Sequence, residues 1–139
     1  MLHHDDYCEL LSFRTALRRF LHWSESQAQD HGLTAAQHQL LLAIAGTDDP
    51  RGPTVGDVAA SLLLKHHSAV GLVDRAEAGR LLRRRPDPDD HRVVRLELTA
   101  LGRRRLESLT EVHVEELSRL APVLSRSLSV SDAKPARSR

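Results

Sequence analysis

Polar and basic side chains are concentrated in two stretches near the middle of the chain. The first stretch, Lys65-His66-His67-Ser68, directly follows the apolar residues 62–64. All four side chains can donate hydrogen bonds, and Lys65 can also bind a phosphate group. The second stretch, residues 83–95, has arginines on both sides of a turn that is rich in aspartate and proline. Donors and fixed positive charges of this kind favour the binding of a polyanion such as DNA.

The charge of the chain is distributed unevenly, although its net value is only +1. Residues 1–60 contain four basic and eight acidic residues, whereas residues 61–105 contain eleven basic and six acidic ones. A basic central segment in a nearly neutral chain indicates a local polyanion-binding face. Taken alone, the charge pattern also fits an ordinary solvated face of charged helices.

Composition argues against several classes of protein. The 139 residues, of which 40% are hydrophobic, suit one globular domain with a small core. The apolar runs are too short to span a membrane, no secretory signal is recognisable, and Cys8 is the single cysteine, so we expect a cytoplasmic protein. The chain has no phosphate loop, nucleophile elbow or dense acid/base cluster. We therefore expect no enzymatic activity, no cofactor and no resident metal.

Four helices are predicted in the first part of the chain. Residues 5–30 have apolar side chains at three- and four-residue steps, as in a long amphipathic helix. Thr34 begins a second helix with a capping-box pattern, and Gly46 ends it. Thr54 caps a short third helix, and a fourth extends over about residues 66–78.

A β-hairpin and a last long helix complete the predicted elements. Residues 81–85 and 93–98 suit two strands joined by the aspartate-rich turn. The last helix begins at Thr99 and extends to about residue 128, with a kink or a break at Pro122. Residues 129–139 are predicted to form a frayed tail.

Three helices followed by a hairpin make a winged helix-turn-helix, a fold that is mainly α with a small β-hairpin wing. We expect a single domain over residues 1–139, with a DNA-binding lobe over 34–99 and long dimerisation helices over 5–30 and 100–128. In such a lobe, the N-terminal residues of the fourth helix contact base edges in the major groove.

The hairpin would act as the wing. Arg92 could enter a narrow minor groove, and Asp90 could orient it. The aspartates of the turn would repel DNA unless they are paired, and Arg84 or Arg85 on the facing strand is the predicted partner. An ordinary exposed hairpin with local salt bridges is the alternative.

Four motifs follow one another along this segment: Leu62 to Val70, Val73-Asp74-Arg75-Ala76-Glu77, Arg84 to Arg92 with its Asp-Asp-x-Arg ending, and Leu98-Thr99-Ala100-Leu101-Gly102. Together they resemble the MarR family of transcriptional regulators. The resemblance implies a homodimer that binds pseudo-palindromic operators, commonly as a repressor released by a small aromatic ligand, an oxidant or a metal. The residues that would contact DNA are Lys65, His66, His67, Ser68, Arg75, Arg84, Arg85, Asp90 and Arg92.

Two positions depart from the family pattern. The recognition helix of the family usually ends with Gly-Leu, whereas this chain has Gly79-Arg80-Leu81. Either Gly79 adopts the left-handed cap and the helix ends early, or Arg80 adopts it at some energetic cost. His91 stands where an arginine is common, which weakens the positive charge of the wing.

The sequence leaves the class of effector open. An organic effector in a cleft between the dimerisation helices and the DNA-binding lobe would be lined by His22, Trp23 and His38. Redox sensing through Cys8 is a second alternative, although no Lys or Arg lies within four residues to activate the thiol. A zinc site assembled across helices is a third, with the candidate ligands His22, His38, His113 and Glu116.

A winged helix that binds proteins instead of DNA is the competing functional class. The basic segment 61–105 argues against it. Salt dependence separates the two classes, because a DNA-binding protein loses affinity steeply with added salt.

Overall fold

The computed structural model describes residues 1–132 of the chain, with side chains described up to residue 125. Within this range the predicted fold class is confirmed: five helices and one two-stranded antiparallel sheet form a winged helix-turn-helix. The elements are α1 (His4–Asp30), α2 (Ala35–Ala45), α3 (Val55–Leu62), α4 (His66–Ala78), β1 (Leu82–Pro86), β2 (Val94–Leu98) and α5 (Ala100–Asp132). No helix among the described residues is long and apolar enough to cross a membrane.

The chain divides into two compact units. The first unit comprises residues 1–26 and the described residues from Thr110 onward; the second, called the lobe below, comprises residues 27–109. Every element of the lobe contributes apolar side chains to its core, because each presents one apolar face. The largest of the fully buried apolar side chains are Leu40, Leu41, Val58, Val73, Leu81, Leu82, Leu96 and Leu109.

Local hydrogen bonds define where α2 and α3 begin. The Thr34 hydroxyl accepts from the backbone N–H of Gln37, and the Gln37 side chain accepts from the backbone N–H of Thr34. Thr54 and Asp57 make the same reciprocal pair at the start of α3. Both capped starts were predicted at these threonines, and each pair satisfies two backbone donors that the helix itself leaves open.

The hairpin is regular and antiparallel, with Leu82 opposite Leu98 and Pro86 opposite Val94. Leu96 and Leu98 are buried, as their predicted alternation requires, but Val94 on the same face is 41% exposed. Val94 is the first residue of β2, at the end of the hairpin farthest from the start of α5.

The junction between α4 and β1 resolves the alternatives at Gly79-Arg80. Gly79 has φ −78°, whereas Arg80 has φ +61° and takes the left-handed conformation. The backbone N–H of Leu81 donates to the carbonyl of Ala76, which closes the end of the helix. A left-handed non-glycine residue costs about 1 kcal/mol, so the chain ends its recognition helix at an energetic penalty.

The last helix, α5, is continuous through Pro122, so the predicted break there is wrong, and the structure describes this helix as far as Asp132. It therefore includes residues 129–132 of the predicted tail, and the rest of that tail, residues 133–139, lies outside the described residues.

Candidate nucleic-acid interface

The N-terminus of α4 presents four exposed polar residues, Lys65 to Ser68. Lys65 is the N-cap, with φ −67° and ψ 148°, and its side chain makes no capping hydrogen bond. The first backbone N–H groups of a helix have no partner within the helix itself. Beside a lysine ammonium, such N–H groups suit an anionic oxygen such as that of a phosphate.

A tight turn sets α4 against α3. Leu63 has φ +55° and is 92% exposed, and the backbone N–H of Leu64 donates to the carbonyl of Ala59 at 2.9 Å. The chain thus leaves α3 and re-enters a helix at His66 within three residues. This is the turn of a helix-turn-helix, with α4 as its recognition helix.

The hydrogen bonds of Asp90 orient Arg92 in the wing tip (residues 87–93). The carboxylate of Asp90 accepts from the Arg92 backbone N–H at 3.1 Å, from Nε at 3.0 Å and from Nη2 at 3.1 Å. The side-chain hydrogen bond from Arg92 is the main reason why the pKa of Asp90 is lowered. The pairing of these two residues was predicted, and the Arg92 side chain remains 90% exposed.

Asp87 is paired differently from the prediction. Its Oδ2 accepts from Nε of Arg95 at 2.7 Å, and its Oδ1 accepts from the backbone N–H groups of Asp89 and Asp90. The predicted partners, Arg84 and Arg85, are wrong for this carboxylate, which is only 1% exposed. The hydrogen bond from Arg95 is the largest cause that lowers the pKa of Asp87 to about 2.

Arg95 also ties the wing to the loop before α3. Its Nη1 donates to the carbonyl of Gly52 at 3.1 Å, and the backbone N–H of Leu96 donates to the carbonyl of Pro53 at 2.8 Å. Sequence reasoning missed Arg95 because it treated the facing arginines of β1 as the nearer cations. The signal that could have found it is the register: with Pro86 opposite Val94, Asp87 and Arg95 are close across the strand ends.

Arg84 and Arg85 are both engaged in ion pairs. Arg84 Nη1 lies 2.7 Å from Glu77 Oε1 and Nη2 lies 2.7 Å from Asp74 Oδ1, so this side chain joins β1 to α4. Arg85 Nε lies 2.6 Å from Glu97 Oε2, but more than half of its side chain is exposed. Arg75, on α4, is exposed and has no ion pair among the described residues.

The three predicted effector residues differ in the element on which they lie and in how far they are buried. His22 and Trp23 line an open cavity of about 460 Å³ on α1, together with Arg18, Arg19 and Ser26. His38 lies on α2 in the lobe and is only 7% exposed. This cavity therefore includes two of the three predicted lining residues.

Neighbouring side chains hold Trp23 in place. The ring centroid of His113 lies 4.9 Å from that of Trp23, and the His113 Nε2 is 2.6 Å from the Ser24 hydroxyl.

In the part of the chain that the structure describes, no three His, Cys, Asp or Glu side chains are grouped so that they could hold a metal ion. The candidate zinc ligands of the first unit, His22, His113 and Glu116, therefore form no such group.

Cys8 is exposed, and its Sγ lies 3.3 Å from Nε2 of His4, one helical turn earlier on α1. Among the cations that could activate this thiol, sequence reasoning considered lysine and arginine and missed the histidine. The four-residue spacing was the available signal.

Comparisons with known proteins identify the same architecture. A family model described as the MarR family matches residues 31–93. AbsC, a MarR family transcriptional regulator from Streptomyces coelicolor, has a TM-score of 0.76 and 22% identity, over 95% of this chain and 90% of AbsC. The S. aureus MepR–DNA complex has a TM-score of 0.67 and 19% identity, over 85% of this chain and 92% of MepR.

A ligand complex has the same fold. CouR from Rhodococcus jostii, bound to p-coumaroyl-CoA, has a TM-score of 0.67 and 24% identity, over 94% of this chain and 93% of CouR. No curated protein sequence matches the chain.

The helix-turn-helix, the antiparallel hairpin after it and the long helices at both ends define a winged helix-turn-helix protein. A model of the MarR family matches residues 31–93, and the chain shares the fold of a MarR family regulator over most of its length. The chain is therefore similar to that family, as the sequence motifs predicted.

Proposed function

We propose that this chain is a transcriptional regulator that binds double-stranded DNA in a sequence-specific manner, without enzymatic activity. The observation that carries the proposal is the start of α4, where residues 65–68 are exposed and no side chain caps the helix. Exposed donors and open backbone N–H groups match the acceptors of base edges and phosphates. The residues proposed to meet the major groove are Lys65, His66, His67, Ser68 and Arg75.

The wing supplies a second contact. Arg92 is almost fully exposed and is oriented by Asp90, so its guanidinium can reach the minor groove beside the half-site. Arg85 adds positive charge to the same hairpin. Arg84 contributes indirectly, because its ion pairs with Asp74 and Glu77 hold β1 against the recognition helix.

A homodimer is proposed because the first unit exposes many large apolar side chains. On α1, Leu17 is 46% and Leu21 is 52% exposed, and on α5, Leu117 is 47% exposed. Burial in a second copy would remove this apolar surface from water. Two recognition helices related by a two-fold axis would then contact the two halves of a pseudo-palindromic operator.

An organic effector is proposed to bind on α1. The cavity there combines the indole of Trp23 with the cationic side chains Arg18 and Arg19. This combination suits an aromatic compound that carries a carboxylate or phosphate. CouR, which shares the fold, was solved with p-coumaroyl-CoA. We propose that binding of such a compound releases a cytoplasmic repressor from its operator.

A salt titration on mixed-sequence duplex DNA tests the proposal first. A DNA-binding dimer with several phosphate contacts should lose at least about 100-fold in affinity between 50 and 200 mM salt. A winged helix that binds only proteins should show little DNA binding at any salt concentration. That second outcome would remove the proposed function.

Substitutions then separate affinity from sequence recognition. Arg92→Ala should weaken binding to every duplex, with some loss of A·T preference at the flanks. His67→Ala or Ser68→Ala should instead change the base preference within the half-site by about 1–3 kcal/mol. Arg14→Ala, an exposed arginine of α1, is the control and should change neither. Unchanged affinity in Arg92→Ala would show that the wing does not contact DNA.

A further inference from the structure

The backbone conformation in the middle of the recognition helix does not require the glycine found there. Gly71 lies inside α4, where glycine is less favourable than alanine. Its φ is not positive. A Cβ built on Gly71 would have one neighbour within 4 Å beyond its own stretch of helix, the Nη1 atom of Arg75 at 3.2 Å. The missing side chain therefore leaves space that the Arg75 guanidinium occupies.

Arg75 differs from the other arginines near the proposed DNA face. Arg84, Arg85 and Arg92 each form an ion pair with a carboxylate. Arg75 forms none among the residues that the structure describes, and it is exposed. Its charge and its five N–H donors are therefore available to a ligand.

The position of Arg75 on α4 determines which face of the helix presents its available N–H donors. His67, Gly71 and Arg75 follow one another at four-residue steps and form one row along α4. The opposite face of α4 is the buried one, formed by Ala69, Leu72, Val73 and Ala76. Because the guanidinium lies over Gly71, it is carried one turn back towards the N-terminus of α4, where His67 and Ser68 stand.

We propose that Gly71 is a specificity-determining residue, because it provides the space in which the Arg75 guanidinium lies along the DNA-facing row of α4. In this position the planar fork of Arg75 is presented for bidentate recognition of O6 and N7 of a guanine in the major groove. The inference rests on the proposed DNA binding and adds to it the class of base that this row recognises.

Four proteins test the proposal: the parent chain, Gly71→Ala, Arg75→Ala and the double variant. Selection from a randomised duplex library defines the preferred half-site of the parent, which should contain a guanine at one position. Gly71→Ala should bind that site about five- to tenfold more weakly, because the new methyl group shifts the guanidinium by a few tenths of an ångström and so misaligns its fork with the guanine acceptors. Its affinity for mixed-sequence DNA should stay within about twofold, since no charge changes.

The thermal stability of Gly71→Ala should not fall together with its DNA recognition, so the Tm provides an independent measurement. Because alanine is the better helix former, Gly71→Ala should leave the Tm unchanged or raise it by a few degrees. Gly56→Ala in α3 is the matched control, since its Cβ would meet only the Thr54 hydroxyl at 3.6 Å. That variant should keep the parent's half-site and affinity.

The double variant decides whether Gly71 acts through Arg75. If it does, Gly71→Ala should have no further effect on base preference once Arg75 is alanine. An equal loss with and without Arg75 would overturn the proposal, because the methyl group would then be acting on the DNA itself. Parental affinity and guanine preference in Gly71→Ala would also overturn it, while leaving DNA binding established. Failure of the parent to bind any duplex would overturn both the proposed function and this inference.

Discussion

The wing is held at its two ends by different kinds of contact. At the wing base (residues 80–82 with 98–102), the backbone is packed so closely that a Cβ on Gly102 would lie 2.0 Å from the Leu81 carbonyl oxygen. Thr99 adds a hydrogen bond from its hydroxyl to the carbonyl of Arg80 at 2.6 Å. At the wing tip, the single carboxylate of Asp87 accepts hydrogen bonds from Arg95 and from two backbone N–H groups.

This difference separates two ways of positioning a DNA-binding hairpin. The base depends on the absence of a side chain, because the start of α5 lies directly on the backbone at Leu81. The tip depends on the presence of one buried charge, while Asp90 and Arg92 beside it remain accessible. Substitutions at the wing base should therefore destabilise the fold. Among the acidic residues of the wing tip, only substitution of Asp87 should do so.

The largest effect is expected at Gly102. In Gly102→Ala the methyl group cannot fit against the Leu81 carbonyl, so α5 or the hairpin must move. We expect a loss of about 3 kcal/mol in the free energy of unfolding, measured with urea. Gly79→Ala is the control, because its Cβ would keep ordinary distances of 3.5 Å to the nearest backbone oxygens. Equal stability of the two variants would show that close packing at Gly102 does not hold the wing base in place.

A smaller effect is expected at Asp87. Asp87→Ala leaves Arg95 and two backbone donors without their acceptor, and should lower the Tm by roughly 5–10 °C. Asp90→Ala removes an exposed ion pair and should lower it by less than about 2 °C. Thermal unfolding followed by circular dichroism compares the two. A larger fall for Asp90→Ala than for Asp87→Ala would reverse the assignment of the structural carboxylate.

The smallest effect is a gain in stability at Arg80. Glycine adopts the left-handed conformation without the steric cost that Arg80 bears at φ +61°. Arg80→Gly should therefore raise the free energy of unfolding by about 1 kcal/mol. Arg104→Gly, an exposed position inside α5, should lower it by a similar amount. A loss of stability in Arg80→Gly would indicate that the arginine side chain contributes more than its backbone strain costs.

The sequence by itself determined the elements and their order. Thr34 and Thr54 marked the starts of α2 and α3, because a capping box involves residues only three apart. The change from helical to alternating periodicity located the hairpin, and the Asp90–Arg92 pair followed from a two-residue spacing. It also restricted the end of α4 to two conformations, at Gly79 or at Arg80.

Tertiary structure alone decided the ion pairs between different elements and which arginines stay available. Some carboxylates of the lobe, such as Asp87, lie within reach of more than one arginine. Strand register and side-chain direction select Arg95 for Asp87 and the α4 carboxylates for Arg84. Sequence spacing could not make these choices, because ion pairs across a fold depend on positions set by packing. Gly71 and Arg75 are only four residues apart on one helix, but the side-chain direction that places the Arg75 guanidinium over Gly71 was visible only in the folded chain.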